Sequence, residues 1–347
     1  MTSQLVEGVP GRLIPGYAFV EYARHKRRSE RRLRKGRRLH RVSAFHVGRH
    51  RLVEAEECAR LAVETLAGAA PRTTRDLLLA EAYAGLGQVA RLQGRYQEAE
   101  SALRQALTLL PATSEAGQVR VGALAGLGIL CKDTGRFDEA DELYHRVDAE
   151  LAQAGERAGV PMANLLHNQA GLAHAQGDFA TGETYARQAV TVRSRAVGDA
   201  HVTVAADESV LAANLMGQGR YVEAEALYRK VLACFERQSP QSDYEIAVNL
   251  HGLAATLAGR GELGEAEPLY RRALEIKVGL LGRDHAEVAL VLNNLGVLLR
   301  EQGRTAEAES CFARCVPVLE STLGPDHPTA ALARRNRSAN APRAMAA

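Results

Sequence analysis

The sequence contains no tryptophan, few other aromatic residues, few cysteines and no long apolar run. Aromatic side chains make up only 5% of the 347 residues, and the cysteines number five. A small, odd number of cysteines does not build a disulfide framework, so the sequence favours a reducing compartment. No segment approaches the roughly 20 consecutive apolar residues that span a bilayer. We therefore expect a cytoplasmic protein without a transmembrane segment.

Charge is distributed unevenly along the chain, although the net formal charge is only +3. The segment 24–41, which reads RHKRRSERRLRKGRRLHR, holds eleven of the 44 lysines and arginines but only one of the 41 acids, Glu30. The remaining residues hold 33 bases and 40 acids, which gives them a net charge of −7. A strongly basic segment is therefore joined to an acidic body, and its eleven cations repel one another.

A glycine recurs after a mostly apolar segment at intervals of 41 or 42 residues, which indicates an internal repeat. A glycine or alanine precedes each of these glycines by seven residues, and another small residue follows five residues later. Larger apolar residues lie between them at helical spacing, so each unit is predicted to contain two amphipathic helices. Small residues let the two helices approach closely, and a left-handed glycine suits the end of the first helix. The six glycines are Gly94, Gly135, Gly177, Gly219, Gly261 and Gly303.

The segment VLNNLGVLLREQGRTAEAE at 291–309, followed by LGPDHP at 323–328, resembles the 42-residue tetratricopeptide repeats found in kinesin light chains. The resemblance covers about residues 79–332 as six repeats, and a degenerate repeat before them has His50 in place of the glycine. It implies an all-α fold, a right-handed superhelical solenoid of antiparallel helix pairs.

Three regions are expected from the repeat boundaries and the charge pattern. Residues 1–45 are predicted to form a basic N-terminal arm that is partly disordered or irregularly helical. Residues 46–337 are predicted to form the solenoid, and residues 338–347 a frayed C-terminal tail.

The resemblance also implies that the first helices of the pairs line a concave groove. Positions ten, six and three residues before each repeat glycine are expected to face it, and none of those eighteen residues is acidic. This composition favours a peptide segment of a partner protein that carries acidic residues. Asn168 and Asn294 match an asparagine column that relatives use to hold peptide backbone, since an amide both donates and accepts. The predicted groove residues are Gln88, Arg91, Lys132, His167, Asn168, His174, His251, Asn293, Asn294 and Arg300.

Other residue types suggest chemistry but fall into the repeat pattern. Cys311 and Cys315 lie in columns that hold leucine or alanine elsewhere, which predicts buried small hydrophobic residues. His285 and His327 follow an aspartate in a recurring loop, which indicates helix caps. Asp326 or His327 is expected to cap the last helix, with Pro328 in its first turn. No phosphate-binding loop, nucleophile elbow or paired carboxylates stand outside the repeats. We therefore expect no catalytic residue, no metal site and no cofactor.

The basic segment Arg24–Arg41 leaves three interpretations open. It can bind nucleic acid by neutralising phosphates, bind an anionic membrane surface, or lie against the acidic body of its own chain as a charged, exposed first helix. The segment contains no aromatic residue for base stacking, which argues against sequence-specific reading of single strands.

The sequence predicts a non-enzymatic scaffold or adaptor that binds a peptide segment of a partner in the concave groove. The alternative is a regulatory protein that couples this binding to nucleic-acid contact through residues 24–41. A third interpretation is an accessory subunit whose partner is an enzyme.

Overall fold

The structure, a computed structural model, describes residues 16–111, 113–237 and 242–340. Within these ranges the regular structure is helical, with fifteen α-helices and one short 3₁₀ turn at Ser114–Ala116. The helices are α1 (Gly16–Val47), α2 (Leu52–Ala67), α3 (Thr73–Leu92), α4 (Tyr96–Leu109), α5 (Gly117–Asp133), α6 (Phe137–Ala154), α7 (Val160–Gln176), α8 (Phe179–Val197), α9 (Val202–Gly217), α10 (Tyr221–Glu236), α11 (Asp243–Gly259), α12 (Leu263–Leu281), α13 (Ala286–Glu301), α14 (Thr305–Leu323) and α15 (Pro328–Ser338).

Consecutive helices pack as pairs, from α1 with α2 to α13 with α14, and α15 covers the last pair. Each pair also packs on the next, so the buried apolar residues run along the chain rather than into one central core. The fold is the predicted all-α, right-handed superhelical solenoid of antiparallel helix pairs.

The repeat glycines end the first helix of each pair in the left-handed conformation that the sequence analysis expects. All six have φ between 74° and 83°. His50 occupies the same place after α1 and has φ 51°, the one positive value at a non-glycine residue in the described ranges. A side chain is strained at such an angle, so the position is fixed by the repeat rather than by local preference.

The small columns allow the close helix packing that the sequence predicts. A Cβ placed on Gly128 would lie 2.4 Å from the ring of Tyr144, and one on Gly296 would lie 2.8 Å from that of Phe312. Both rings are fully buried. The second helix of a pair therefore fills the notch that the glycine of the first helix leaves open.

The basic segment lies within α1, which runs as one helix and packs on α2 and α3. Ser29, Gly36 and Ser43 are buried on one side of it, and the Ser43 hydroxyl donates to the Ala55 carbonyl oxygen at 2.7 Å. The eleven lysines and arginines of 24–41 are all exposed. Residues 1–15 and 341–347 lie outside the described residues, and the division of the chain into arm, solenoid and tail stays a prediction.

Ion pairs join successive second helices along the outer side of the solenoid. Arg136, directly after a repeat glycine, lies 2.8 Å from Glu100 of the preceding second helix, and Glu100 lies 2.7 Å from Arg104. We call five such pairs between repeats the ladder. In four of them the arginine directly follows a repeat glycine, and in the fifth Arg260 directly precedes Gly261. The five pairs are Arg95–Glu56, Arg136–Glu100, Arg220–Glu183, Arg260–Glu225 and Arg304–Glu267.

The superhelix turns far enough for its two ends to meet along one edge, which we call the seam. We define it by three contacts between the ends of first helices. His50 stacks on Tyr244 with ring centroids 4.3 Å apart, and His285 Nε2 donates to the Leu92 carbonyl oxygen at 3.0 Å. A Cβ on Gly135 would lie 3.3 Å from the ring of His327. The partners are 192 to 194 residues apart in each case, so one superhelical turn takes fewer than five repeats.

Candidate functional site

The first cavity of the concave side lies in the N-terminal half, between α1, α3 and α5. It has a volume of about 380 Å³ and is lined by Gln88 and Arg91 together with other residues of the predicted groove positions. Glu81 also lines it, one helical turn before the first of those positions. The predicted columns contain no acid, so the sequence analysis missed this carboxylate. Glu81 precedes Ala84 by three residues and so lies on the same helix face, which is the sequence signal that could have identified it.

The second cavity lies in the C-terminal half, between α11, α13 and α15. Its volume is about 310 Å³, and its lining includes Asn293, Asn294, Val297 and Tyr270. Asn336 of α15 also lines it and was not among the predicted residues. It follows Asn293 by 43 residues, close to the repeat length, so a further first helix at the C-terminal end carries the same polar column.

A chain of side-chain hydrogen bonds runs through this second cavity. The Asn336 amide donates to Asn293 Oδ1 at 3.0 Å, and the Asn293 amide donates to Asn294 Oδ1 at 3.1 Å. The Asn294 amide in turn donates to His251 Nε2 at 2.8 Å. Arg300 donates to the backbone oxygen of Asn336 at 3.0 Å. The structure thus brings together four of the predicted residues in one network.

The histidine at the end of this chain stays neutral. Burial, followed by the Lys277 ammonium, lowers the pKa of His251 to about 3, while Glu287 acts in the opposite direction. The ring also lies against Tyr270, with centroids 5.5 Å apart. A neutral His251 accepts the Asn294 hydrogen bond at any physiological pH, so the direction of the amide chain does not change.

The predicted cations of the groove share an acid. Arg91 lies 2.9 Å from Asp133 Oδ2, and Lys132 lies 3.1 Å from Asp133 Oδ1. Asp133 stands next to Lys132 and outside the predicted columns, so its proximity was not anticipated. Two of the three groove cations therefore have a carboxylate partner within the chain, which reduces their pull on an acidic ligand.

The middle of the groove contains a buried ionic group behind His167. Asp207 of α9 has no exposed surface and lies 2.5 Å from Arg193 Nε, itself 5% exposed. His167 Nδ1 donates to the other oxygen of Asp207 at 2.8 Å. An ionised carboxylate only accepts, so Nδ1 of the half-exposed ring carries a proton. Asp207 lies outside the groove columns and was missed by the sequence analysis.

The other two predicted residues of α7 are placed differently. His174 is half-buried beside Phe179, at 5.2 Å between ring centroids, and burial lowers the pKa of His174. Asn168 is half-buried next to His167. Neither these two residues nor His167 lines the two cavities described above, so the predicted set divides into two cavity groups and a central group on α7.

The described residues contain no group of three or more His, Cys, Asp or Glu side chains that could hold a metal ion. Cys315 is fully buried, and burial raises the pKa of its thiol to about 12. Its thiol is therefore protonated and shielded from solvent. His285 and His327 cap α13 and α15 by accepting from the backbone N–H groups of Glu287 and Thr329, as the sequence analysis predicts.

In the part of the chain that the structure describes, no helix is both long enough and apolar enough to cross a membrane.

Comparison with known families gives matches along most of the chain. Profiles described as tetratricopeptide repeat match residues 80–113 and 123–156. A further profile with that description matches four overlapping stretches, which together run from residue 161 to 341, more than half of the chain. No curated protein matches the sequence.

Solved structures share the fold at low sequence identity. A Rap protein complexed with competence and sporulation factor is 15% identical, with a TM-score of 0.62 over 85% of this chain and 77% of that one. NprR in complex with its cognate peptide NprX is 11% identical, with a TM-score of 0.61 over 87% and 86%. BtubC from P. vanneervenii is 21% identical, with a TM-score of 0.50 over 73% and 92%. At these identities the likeness shows the fold alone.

Proposed function

This chain belongs to the tetratricopeptide repeat family, and on that premise we propose that it is a non-enzymatic scaffold that binds a peptide segment of a partner protein in its concave groove. The observation that carries the proposal is the amide chain from Asn336 to His251 beside the second cavity. Such a row of fixed amides suits an extended main chain.

Each member of the amide chain keeps unused hydrogen-bonding capacity. An asparagine side chain has two N–H donors and two oxygen lone pairs, and the chain uses one donor of each amide. The remaining groups can pair with the N–H and C=O groups of a bound main chain. The neighbouring cavity, lined by Val297 and Leu298, offers room for an apolar side chain of the same segment.

We propose that the groove recognises the main chain of the partner segment more than its charge. Asp133 pairs with both Arg91 and Lys132, and Glu81 adds a negative charge to the first cavity. A preference for acidic segments therefore rests mostly on Arg300. Two of the structural relatives, the Rap protein and NprR, were solved with a bound factor or peptide, which supports the proposal by analogy.

The test begins with a random decapeptide pool captured on the immobilised full chain and identified by mass spectrometry. The recovered peptide is synthesised with a fluorescent label, and its Kd is measured by polarisation. We expect Asn336→Ala to weaken binding about tenfold, or about 1.4 kcal/mol, because a donor to the main chain is lost. Gln105→Ala, on the exposed outer side of α4, is the matched control and should leave the Kd unchanged.

Two further variants separate charge from shape in this assay. Val297→Phe fills the second cavity and should abolish binding of the selected peptide. Joint replacement of Arg91, Lys132 and Arg300 by Glu removes all groove cations and should also abolish it if the peptide is acidic. A pool that yields no binder to the wild-type chain, or a Kd unmoved by both Asn336→Ala and Val297→Phe, would contradict the proposal.

A second candidate function is nucleic-acid contact through α1. The observation that favours it is that none of the eleven lysines and arginines of 24–41 forms an ion pair with a carboxylate within the described ranges, although the body is acidic. An exposed helix face with unpaired cations attracts phosphates and releases their counterions. Such contact is expected to be independent of sequence, because lysine and arginine contacts to phosphates carry no information about the bases.

The salt dependence of duplex DNA binding tests this second candidate. Arg24, Arg27, Arg31 and Arg34 lie three or four residues apart and share one exposed face. Replacing all four by Gln should lower the slope of log K against log salt by about 3 to 4 units. The control is the same replacement at Arg104, Arg187, Arg229 and Arg271, which are paired with glutamates. Equal slopes for both variants would exclude α1 as the contact surface.

A further inference from the structure

The two cavities of the groove are formed by the same helices whose ends make the seam. The first cavity lies between α1, α3 and α5, and the three seam residues His50, Leu92 and Gly135 stand at or just beyond the C-terminal ends of these helices. The second lies between α11, α13 and α15, whose N-terminal ends carry the opposite seam residues. The seam therefore joins the helices that line the first cavity to those that line the second.

The seam is a polar contact rather than a continuation of the apolar core. The buried apolar residues of the described ranges form four clusters, of which the two largest lie within 90–172 and 170–333, and none of the four joins the two sides of the seam. The three contacts that define the seam are a ring stack, one hydrogen bond and a glycine against an imidazole. Beside them, a Cβ on Gly94 would lie 3.5 Å from the methyl group of Thr322. Interfaces with few buried apolar contacts open at low free-energy cost compared with a packed core.

On the C-terminal side of the seam, hydrogen bonds and an ion pair within that side hold the seam residues in place. The Tyr244 hydroxyl donates to Glu287 Oε1 at 2.7 Å, and Lys277 Nζ lies 2.8 Å from Glu287 Oε2. His285 accepts the Glu287 backbone N–H with Nδ1, so its Nε2 proton is directed to the Leu92 oxygen. These bonds lie within α11, α12 and α13. They stay intact when the seam opens, so reclosure needs no rebuilding of this edge.

We propose that the seam is a gate of the concave groove, which opens to admit a partner segment and closes around it. The inference rests on the proposed peptide binding in the groove and concerns its regulation. In the closed state the segment enters only along the superhelix axis. An open seam exposes the whole length of the groove to a lateral approach.

The test locks the seam covalently with Gly94→Cys and Thr322→Cys. A Cβ at position 94 would lie 3.5 Å from Thr322 Cγ2, so the two positions are neighbours that the disulfide is designed to join. Each single variant and the reduced double variant serve as controls for the strain of a side chain at φ 74°. Formation of the 94–322 bond, and the state of the five native cysteines, is checked by mass spectrometry before each measurement.

Access to the groove is measured without any ligand by adding Val297→Cys and following its modification by peptide mapping. We expect the locked chain to react about tenfold more slowly with a polymer-linked maleimide, because reaction needs the open state. The small reagent N-ethylmaleimide should react equally with locked and reduced chains. Equal rates with the polymer reagent would overturn the gate.

A second variant is designed to open the seam rather than lock it, without disturbing the fold. His50→Gly removes the stack on Tyr244 and replaces a strained left-handed residue with the one that tolerates this angle. We expect faster reaction at position 297 with the polymer reagent. An unchanged rate would count against the gate even if the locked chain were slow.

The peptide-binding assay distinguishes failure of the gate from failure of the proposed function. If the selected peptide binds the wild type but associates equally fast with the locked chain, only the gate is overturned. If no peptide binds and the locked chain still protects position 297, the gate stands and the proposed peptide binding fails. Slower association that recovers on reduction supports both.

Discussion

The arginines of α1 and those of the ladder carry the same charge, but only those of the ladder pair with carboxylates of the described part of the chain. All eleven lysines and arginines of 24–41 are exposed and have no carboxylate partner within the described ranges. The ladder arginines, such as Arg136 and Arg220, each hold a glutamate of the preceding repeat within 2.8 Å. The first set is available to an external anion, whereas the second set is committed to joining repeats.

The comparison shows that charge content alone does not identify a binding surface. The body has more acids than bases, yet each of the five ladder glutamates pairs with an arginine that follows it by 35 to 39 residues. No carboxylate of the described ranges pairs with the lysines and arginines of 24–41 on the exposed side of α1. Geometry within the repeat, rather than the number of cations, decides which arginines remain free.

The largest expected effect on stability concerns Arg193, which belongs to neither set because it is buried. Asp207→Asn leaves its guanidinium without a counter-charge and should lower the free energy of unfolding by about 3–5 kcal/mol. Urea denaturation followed by circular dichroism measures it. The control is Glu57→Gln, an exposed carboxylate, with an effect of less than about 0.5 kcal/mol. If both variants had the same free energy of unfolding, the buried Arg193–Asp207 pair would contribute no more to stability than an exposed carboxylate.

Acid is expected to weaken the ladder and leave α1 unaffected. Partial burial raises the pKa of Glu183, but hydrogen bonds from Gln218, Arg187 and Arg220 outweigh this and lower the pKa to about 2. A depressed carboxyl pKa stabilises the fold above about 4.5, and this contribution is lost as the pH falls towards 2. The urea midpoint should therefore fall in that range.

The control for the pH experiment is Glu183→Gln, which removes one titrating group of the ladder. Its stability should be lower at neutral pH and should depend less on pH between 4.5 and 2 than that of the wild type. A variant that keeps the full wild-type pH dependence would show that the acid response arises elsewhere.

A single exposed rung of the ladder should contribute little. Glu100→Gln and Arg136→Met, measured alone and together, form a double-mutant cycle with an expected coupling of about 0.5–1 kcal/mol. Both side chains are about one-third exposed, so solvent screens much of their attraction. A coupling of zero would mean that the ladder is a consequence of packing rather than a source of stability.

The smallest effect on stability is expected for α1. Replacing Arg24, Arg27, Arg31 and Arg34 by Gln removes no ion pair of the described ranges and should change the free energy of unfolding by less than about 0.5 kcal/mol. A slight gain is expected, since four like charges are removed. A loss as large as that of the buried pair would show that these cations are structural.

Most of the fold and part of the groove could be predicted from sequence, because each repeat is a local unit. The six glycines, the cap at His327 and the place of His50 follow from spacing alone, and the structure confirms them. Whether the ten predicted groove residues bind a partner stays a prediction. Asp133 and Asp207 escaped the sequence analysis because they lie beside or behind the repeat columns and act through residues of a neighbouring helix.

By itself, the sequence determined the helix pairs, their ends and their packing notches, since these depend on residues within about one repeat of each other. Only the tertiary structure decided the seam. Its partners are 192 to 194 residues apart, which is no multiple of the 42-residue repeat. That offset results from small rotations between successive pairs, which add up along the solenoid until its two edges meet. No local pattern encodes such a sum, so His50 and Tyr244 come together only when the whole superhelix is built.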